Sequence, residues 1–160
     1  MVPLEEICFA LGRLCVPMAG RRVVELRDQA SISDSIDDLV IEIELCVGLI
    51  FKPLRHYVQD LVGVGSDCVL SVWSPILDVL KPILSDPSDI EHGSSKVFDS
   101  SRELTLEHFQ NVIMVLINDG VLSSQDAASD LTSITWKAIE EMEFCKPHLE
   151  AWQKAASENS

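Results

Sequence analysis

The chain has 160 residues, 47% of them hydrophobic, so it is long enough to bury the core of one domain. Its 26 acidic residues outnumber its 12 lysines and arginines, and the formal net charge is -14. A surface of this sign repels the phosphate backbone on which nucleic-acid affinity depends, so no nucleic-acid partner is expected. The same charge disfavours simple attachment to anionic lipid, although a local basic patch or an exposed apolar helix leaves peripheral membrane contact open.

The five cysteines are an odd number, lie far apart and stand mostly among apolar neighbours. Reduced core cysteines of this kind predict a cytosolic compartment, because a secreted protein tends to pair its thiols. The N-terminus lacks the basic start and the apolar core of a signal peptide. The longest apolar run, residues 39–51, contains two glutamates and is too short to span a bilayer.

The first predicted helix covers about residues 4–16, where apolar residues recur at spacings of three and four. Pro17 and Gly20 are predicted to end it. Residues 21–30 fit either a short helix or an extended connector, and residues 31–35 fit a polar turn.

The next predicted helix covers about residues 36–61 and carries two apolar stripes on opposite sides. The second stripe consists of Ile41, Leu45 and Leu49. A helix with two apolar sides is expected to lie between neighbours, as interior helices of stacked arrays do. Pro53 lies inside this helix and predicts a kink or a break just before it.

A further helix is predicted to run from about Asp67 to Leu84. Residues 85–101 are rich in Asp, Ser and Gly, and we predict a mobile loop there. Ser100 and Glu103 form a predicted capping box for the helix that follows. That helix ends near Asp119.

Gly120 stands where a left-handed C-terminal cap is expected. The last long helix is predicted at about residues 124–144, and Pro147 ends it. A short tail helix follows, and residues 157–160 are expected to fray. No alternating strand pattern is sustained anywhere, so the sequence predicts an all-α fold.

The segment from Phe109 to Trp136 joins two apolar helices through a short turn. Helices joined in this way usually pack antiparallel, and neither can bury its apolar stripe without further neighbours. We therefore predict a single helical-repeat domain over residues 1–156, built from antiparallel hairpins stacked as a HEAT/armadillo-like array. Such an array favours a binding surface over an active site.

Residues with catalytic potential do not combine into a recognisable site. His108, Glu107 and Asn111 could belong to a hydrolytic centre, but no motif supplies a nucleophile. The Gly63–Gly65 segment lacks the lysine of a phosphate-binding loop and is interpreted as a turn. No CxxC pair occurs, and the histidines and the acidic residues of the second helix are too dispersed for a metal site. The chain is therefore predicted to be non-enzymatic, with no catalytic, metal-binding or cofactor-binding residues.

Positive charge is concentrated in two short segments that contain Arg21, Arg22, Lys52 and Arg55, with His56 adjacent. These side chains could receive an acidic partner or a lipid headgroup, or they could be ordinary surface charge. We treat the two arginines, Lys52 and Arg55 as candidate interface residues.

The three tryptophans could anchor either a core or an interface. Trp73 lies on an apolar helix stripe, and both Trp73 and Trp136 are predicted to be core residues. Trp152 lies near the C-terminus and is predicted as the fifth candidate interface residue.

A distinctive set of residues lies between positions 69 and 136. Its members are Trp73, Leu77 and Leu80, then Asn111, Val115, Leu116, Gly120, Val121, Leu122, Leu131, Thr135 and Trp136. This pattern resembles the last helical repeats of the large Golgi-type guanine-nucleotide exchange factors for Arf GTPases, the GNOM and brefeldin A-resistance group. In that family, exchange activity resides in a separate upstream helical domain, none of which can be placed in this sequence. The resemblance implies a regulatory or targeting segment that does not itself catalyse exchange.

The leading hypothesis is a non-catalytic helical-repeat module for protein interaction or membrane recruitment in Arf-dependent vesicle traffic. Its expected location is the cytoplasm, including peripheral association with Golgi or endosomal membranes, with Arf-pathway components as partners. One alternative is a generic cytosolic adaptor that binds a partner helix. Another is a small all-α enzyme or lipid-binding protein with a buried apolar pocket. An enclosed pocket lined by Cys and Trp would favour this last alternative, whereas an open apolar groove would favour the other two.

Overall fold

The computed structural model describes residues 6–7, 10–29, 36–64, 66–84, 96–122 and 130–159. All regular structure within these ranges is helical, which confirms the predicted all-α class. A π-helical turn at Leu11–Cys15 and a 3-10 turn at Lys146–His148 accompany six α-helices. These are α1 (Val16–Gln29), α2 (Ile36–Val64), α3 (Ser66–Leu84), α4 (Lys96–Asn118), α5 (Asp130–Glu141) and α6 (Leu149–Asn159).

The helices pack in two layers. One layer contains α1, α3 and α5, and the other contains α2, α4 and α6. Within each layer a helix contacts the next helix of that layer, and between layers it contacts its neighbour in the chain, except for α4 and α5, whose described residues make little contact. This alternation is the arrangement of stacked helical hairpins, in which each repeat covers the apolar side of the one before it.

Contacts at matching positions establish the directions of four helices. Arg22 of α1 reaches Glu42 of α2, so these two helices run antiparallel across a short connection. By contrast, α3 runs parallel to both α1 and α5. The contacts that show this are Gly12 with Ser71, Gly20 with Val79, Trp73 with Thr135, and Lys81 with Glu141.

The predicted pairing of α4 with α5 is wrong, because their described residues make only slight contact. Both helices pack against α3 instead. Trp73 of α3 stacks on Phe109 of α4, and its indole N–H donates to the Thr135 hydroxyl of α5 over 2.7 Å. The hairpins of the array are therefore α1–α2, α3–α4 and α5–α6, and the turn expected at 124 lies outside the described residues.

The predicted end of the first helix at Pro17 is also wrong, since the chain remains helical to Gln29. The π-helical turn just before α1 explains the difference. There the Val16 N–H donates to the Leu11 carbonyl, so Pro17 falls in the first turn of α1. Single π-helical turns of this kind occur inside otherwise α-helical segments.

Other helix boundaries also differ from their predictions. The helix α2 is not broken at Pro53 and continues to Val64. The helix α4 begins at Lys96, so the proposed capping box lies inside it and the expected loop at 85–101 ends earlier; its residues 85–95 lie outside the described ranges. The tail helix α6 extends to Asn159, through residues that were expected to fray.

The left-handed cap at Gly120 is confirmed by its φ of 75°. The N–H groups of Val121 and Leu122 both donate to the carbonyl of Leu116, at 2.9 and 3.1 Å. These bonds satisfy a carbonyl that the end of α4 would otherwise leave open. Trp73 and Trp136 are both buried, as predicted.

Candidate interaction surfaces

The candidate basic residues do not form one patch. Arg22 is paired within the chain although its side chain is 41% exposed; its Nη2 and Nε atoms lie 2.7 and 3.1 Å from Oε1 of Glu42. A second carboxylate, that of Glu25, lies 3.3 Å from its Nη1. The hydrogen bonds to Glu42 and then Glu25 raise the pKa of Arg22. Its guanidinium thus ties α1 to α2 and is already paired with two carboxylates of the chain.

Lys52 and Arg55 are exposed on α2, close to His108 of α4. The imidazole of His108 stacks on the ring of Phe51, with 5.8 Å between centroids and 7° between planes. Burial lowers the pKa of His108, and the charges of Arg55 and Lys52 lower it further against the opposing effect of Glu107. The histidine is therefore neutral at pH 7 and joins two helices through its ring.

Arg21 lies on another side of the array, at the rim of an open cleft between α1 and α3. We call it the α1–α3 cleft; its volume is about 450 Å³. Its floor is mainly apolar, and charged side chains stand around it. The lining residues are Gly20, Arg21, Val24, Glu25, Asp78, Val79 and Pro82.

This cleft was not predicted from the sequence, because its walls come from two helices far apart in the chain. A signal was nevertheless present. Gly12 and Gly20 stand eight residues apart, which places them on one side of a helix. A Cβ at Gly12 would collide with the backbone of Ser71, and one at Gly20 would lie 2.6 Å from Cβ of Val79. The two glycines therefore permit the close approach of α1 and α3 that forms the cleft.

The structure corrects the expectation for Trp152. Its side chain is 2% exposed, and it meets the ring of Phe109 edge-on at 5.8 Å between centroids. His148 stacks on its other side at 5.4 Å. Nearness to the end of the sequence did not make this residue peripheral, because α6 packs against α4. Trp152 is a core residue.

An apolar surface is found instead on the outside of the first hairpin. The side chains of Ile41, Leu45 and Leu49 were expected to lie between neighbours, but each is strongly exposed. Leu14 and Met18 are also exposed, and all five have between 57% and 64% of their surface accessible. Contiguous apolar exposure of this kind marks interaction sites on stable proteins.

The described residues give little support for catalysis. Burial raises the pKa of the Cys145 thiol to about 12, so it is no nucleophile at physiological pH. No group of three or more His, Cys, Asp or Glu residues in the described ranges could hold a metal ion. The α1–α3 cleft and a second cleft of about 240 Å³ between α3 and α5 are both open, and neither is lined by cysteine or tryptophan.

Residues 5–144 match the model of a family described as the GBF1-like tetratricopeptide repeat region. The chain belongs to this family. The match spans α1 to α5, and the family's repeat character agrees with the two-layer array. It confirms the resemblance to the helical repeats of Golgi-type Arf exchange factors, and it describes the repeats as tetratricopeptide rather than HEAT or armadillo.

Comparison with curated proteins and with solved structures gave no match. No described helix is long and apolar enough to cross a membrane.

Proposed function

We propose that the chain is a non-catalytic helical-repeat module for protein interaction or membrane recruitment in Arf-dependent vesicle traffic. The observation that carries the proposal is membership of the GBF1-like repeat family over residues 5–144. The proposed place of action is the cytoplasmic side of Golgi or endosomal membranes, with an Arf-pathway component as the partner.

The α1–α3 cleft is the proposed partner surface. Its floor includes Val24, Val79 and Pro82, and Arg21 and Asp78 offer opposite charges at the rim. An amphipathic helix could bury its apolar side in such a groove and pair its flanking charges with the rim. Lys52 and Arg55 lie elsewhere and remain candidates for a second contact with an acidic partner or a lipid headgroup.

The generic adaptor remains the second candidate, because an open apolar groove also suits a partner helix outside vesicle traffic. The two candidates differ in where the chain acts and not in how its groove binds. A small all-α enzyme or lipid-binding protein with a buried apolar pocket receives less support, since the clefts described here are open.

The decisive experiment locates the tagged chain in cells and measures its binding to purified Arf-pathway proteins. The test variant combines Arg21→Glu with Pro82→Glu, which places two carboxylates in the α1–α3 cleft. Lys154→Glu is the matched control, because it reverses an exposed charge on α6. We expect the test variant to lose both Golgi association and binding, while the control keeps them.

Thermal melts of both variants establish that folding is intact. Binding through the cleft without Golgi association or an Arf-pathway partner would replace the trafficking role with the generic adaptor. Acceleration of nucleotide release from an Arf GTPase by the purified chain would contradict the non-catalytic reading altogether.

A further inference from the structure

The exposed apolar residues of α2 belong to one narrow face of the helix. On a helical projection, Asp38, Ile41, Leu49 and Lys52 all lie within about 40° of Leu45. The buried residues of α2 lie on the opposite side, where the helix contacts α1, α3 and α4. We call the five residues the α2 outer face. It extends for about 21 Å along the helix, since each residue rises about 1.5 Å.

The order of side chains along this face is symmetric. Leu45 lies at its centre, with Ile41 four residues before and Leu49 four residues after. Asp38 lies seven residues before the centre, and Lys52 lies seven residues after it. The α2 outer face is thus apolar in the middle and carries opposite charges at its two ends.

Such a face is complementary to itself when a second copy is placed antiparallel to it. The Leu45 side chains then meet at the two-fold axis, and Ile41 of each copy meets Leu49 of the other. Asp38 of each copy lies opposite Lys52 of the other, so the charges pair at both ends. A two-fold interface requires this kind of self-complementary surface.

The neighbouring helix α1 fits the same arrangement. The Arg22–Glu42 ion pair fixes α1 antiparallel to α2. Met18 and Leu14 lie one and two turns before Arg22. They therefore run alongside the part of α2 that contains Leu45 and Leu49, and their exposed side chains widen the apolar area.

We infer that the chain forms a symmetric dimer in which the α2 outer faces of two copies pack antiparallel, centred on Leu45. The occupant is a second copy of this chain, because the apolar spacing and the end charges match this face with itself. The surface is separate from the α1–α3 cleft, so the dimer does not depend on the proposed function.

The test is sedimentation velocity of the whole chain over a range of concentrations at 0.15 M salt, where a Debye length of about 8 Å screens the repulsion between two acidic chains. We expect the wild-type chain to form a dimer and Leu45→Glu to remain a monomer, because it brings two carboxylates together at the axis. The control is Ile134→Glu, which alters an exposed apolar residue of α5 and should still form dimers. Circular dichroism melts check that each variant is folded.

Charge reversal tests the antiparallel register. Asp38→Lys and Lys52→Asp should each weaken self-association about tenfold, because symmetry repeats the repulsion at both ends. A mixture of these two variants should form a heterodimer, in which every end again pairs a lysine with an aspartate. The chain carrying both substitutions should dimerise like the wild type.

A wild-type chain that stays monomeric into the millimolar range would overturn the inference. So would a Leu45→Glu chain that still dimerises. Weakened single variants that fail to associate when mixed would refute the antiparallel register.

Discussion

The array is held together by two contrasting kinds of contact around α3. On one side, α1 approaches α3 closely through Gly12 and Gly20, where an added Cβ would collide with Ser71 or Val79. We call this the glycine contact. On the other side, α3, α4 and α6 meet through large rings, which we call the aromatic contact; its members are Trp73, Phe109 and Trp152.

The difference shows that stacking of the same two-layer array depends on opposite properties at its two ends. The glycine contact requires the absence of side-chain volume, because the two backbones are already close. The aromatic contact requires volume, because the rings fill the space between layers and touch one another at 5.7 and 5.8 Å between centroids. Added atoms should harm the first, and removed atoms should harm the second.

The largest effect is expected from Trp73→Ala, which removes the ring shared by α3, α4 and α5. The substitution leaves a cavity beside Phe109 and removes the donor to the Thr135 hydroxyl. We expect a loss of about 4 to 5 kcal/mol in the free energy of unfolding. Urea titration measures it, and Trp73→Phe should cost clearly less. Equal losses in the two variants would show that the ring does not carry the contact.

Trp152→Ala should come next, at about 3 kcal/mol, because its ring is buried against Phe109. The same titration gives the value. A loss under about 1 kcal/mol would contradict the burial seen here and restore the tail tryptophan to the candidate interface.

Gly12→Ala tests the glycine contact by adding a single methyl group. We expect it to destabilise by about 1 to 3 kcal/mol, since the new Cβ meets the Ser71 backbone. Gly63→Ala is the matched control, because no atom lies within 4 Å of its would-be Cβ and the residue is helical. The control should be stabilised by up to about 1 kcal/mol through helix propensity. Changes of the same sign in both variants would mean that α1 and α3 are not in close contact.

The smallest expected effect is a dependence of stability on pH. It comes from His108, which stacks on Phe51 close to the aromatic contact. Burial lowers the pKa of this residue in the folded chain below its ordinary value of 6.5. The unfolded chain therefore binds the proton more readily, and stability is lost as the pH falls below about 6.5. His108→Phe keeps a ring against Phe51 but cannot titrate, so its melting temperature should fall less between pH 7 and pH 5. The same slope in wild type and variant would exclude His108 as a source of acid sensitivity.

Local patterns in the sequence predicted much of the fold, since they depend on neighbouring residues alone. The helical spacing of apolar residues located α2, α3 and α4, and Gly120 marked the end of α4. Such patterns could not tell which helices would pack together. The short turn after Gly120 suggested a hairpin of α4 with α5, whereas the ring of Trp73 draws both helices to α3.

The candidate surface was harder to predict, because exposure depends on tertiary neighbours. The stripe of Ile41, Leu45 and Leu49 was recognised, but the packing that leaves it exposed was not visible. Adjacent arginines were grouped by sequence, yet Arg21 borders a cleft while Arg22 binds Glu42. Trp152 was assigned from its position near the terminus, and the docking of α6 on α4 reversed that assignment.

The alternation of layers has a consequence for how cooperatively the chain unfolds. Among the described residues, extensive contacts join a helix only to one or both of the two helices that follow it, so the α1–α2 hairpin and the α5–α6 hairpin are linked through the middle repeat. Free energy in such a chain is a sum of terms for single repeats and for the interfaces between adjacent repeats. We therefore expect the outer hairpins to open as separate units, each at a lower free energy than global unfolding, and the middle hairpin to exchange its amide protons last.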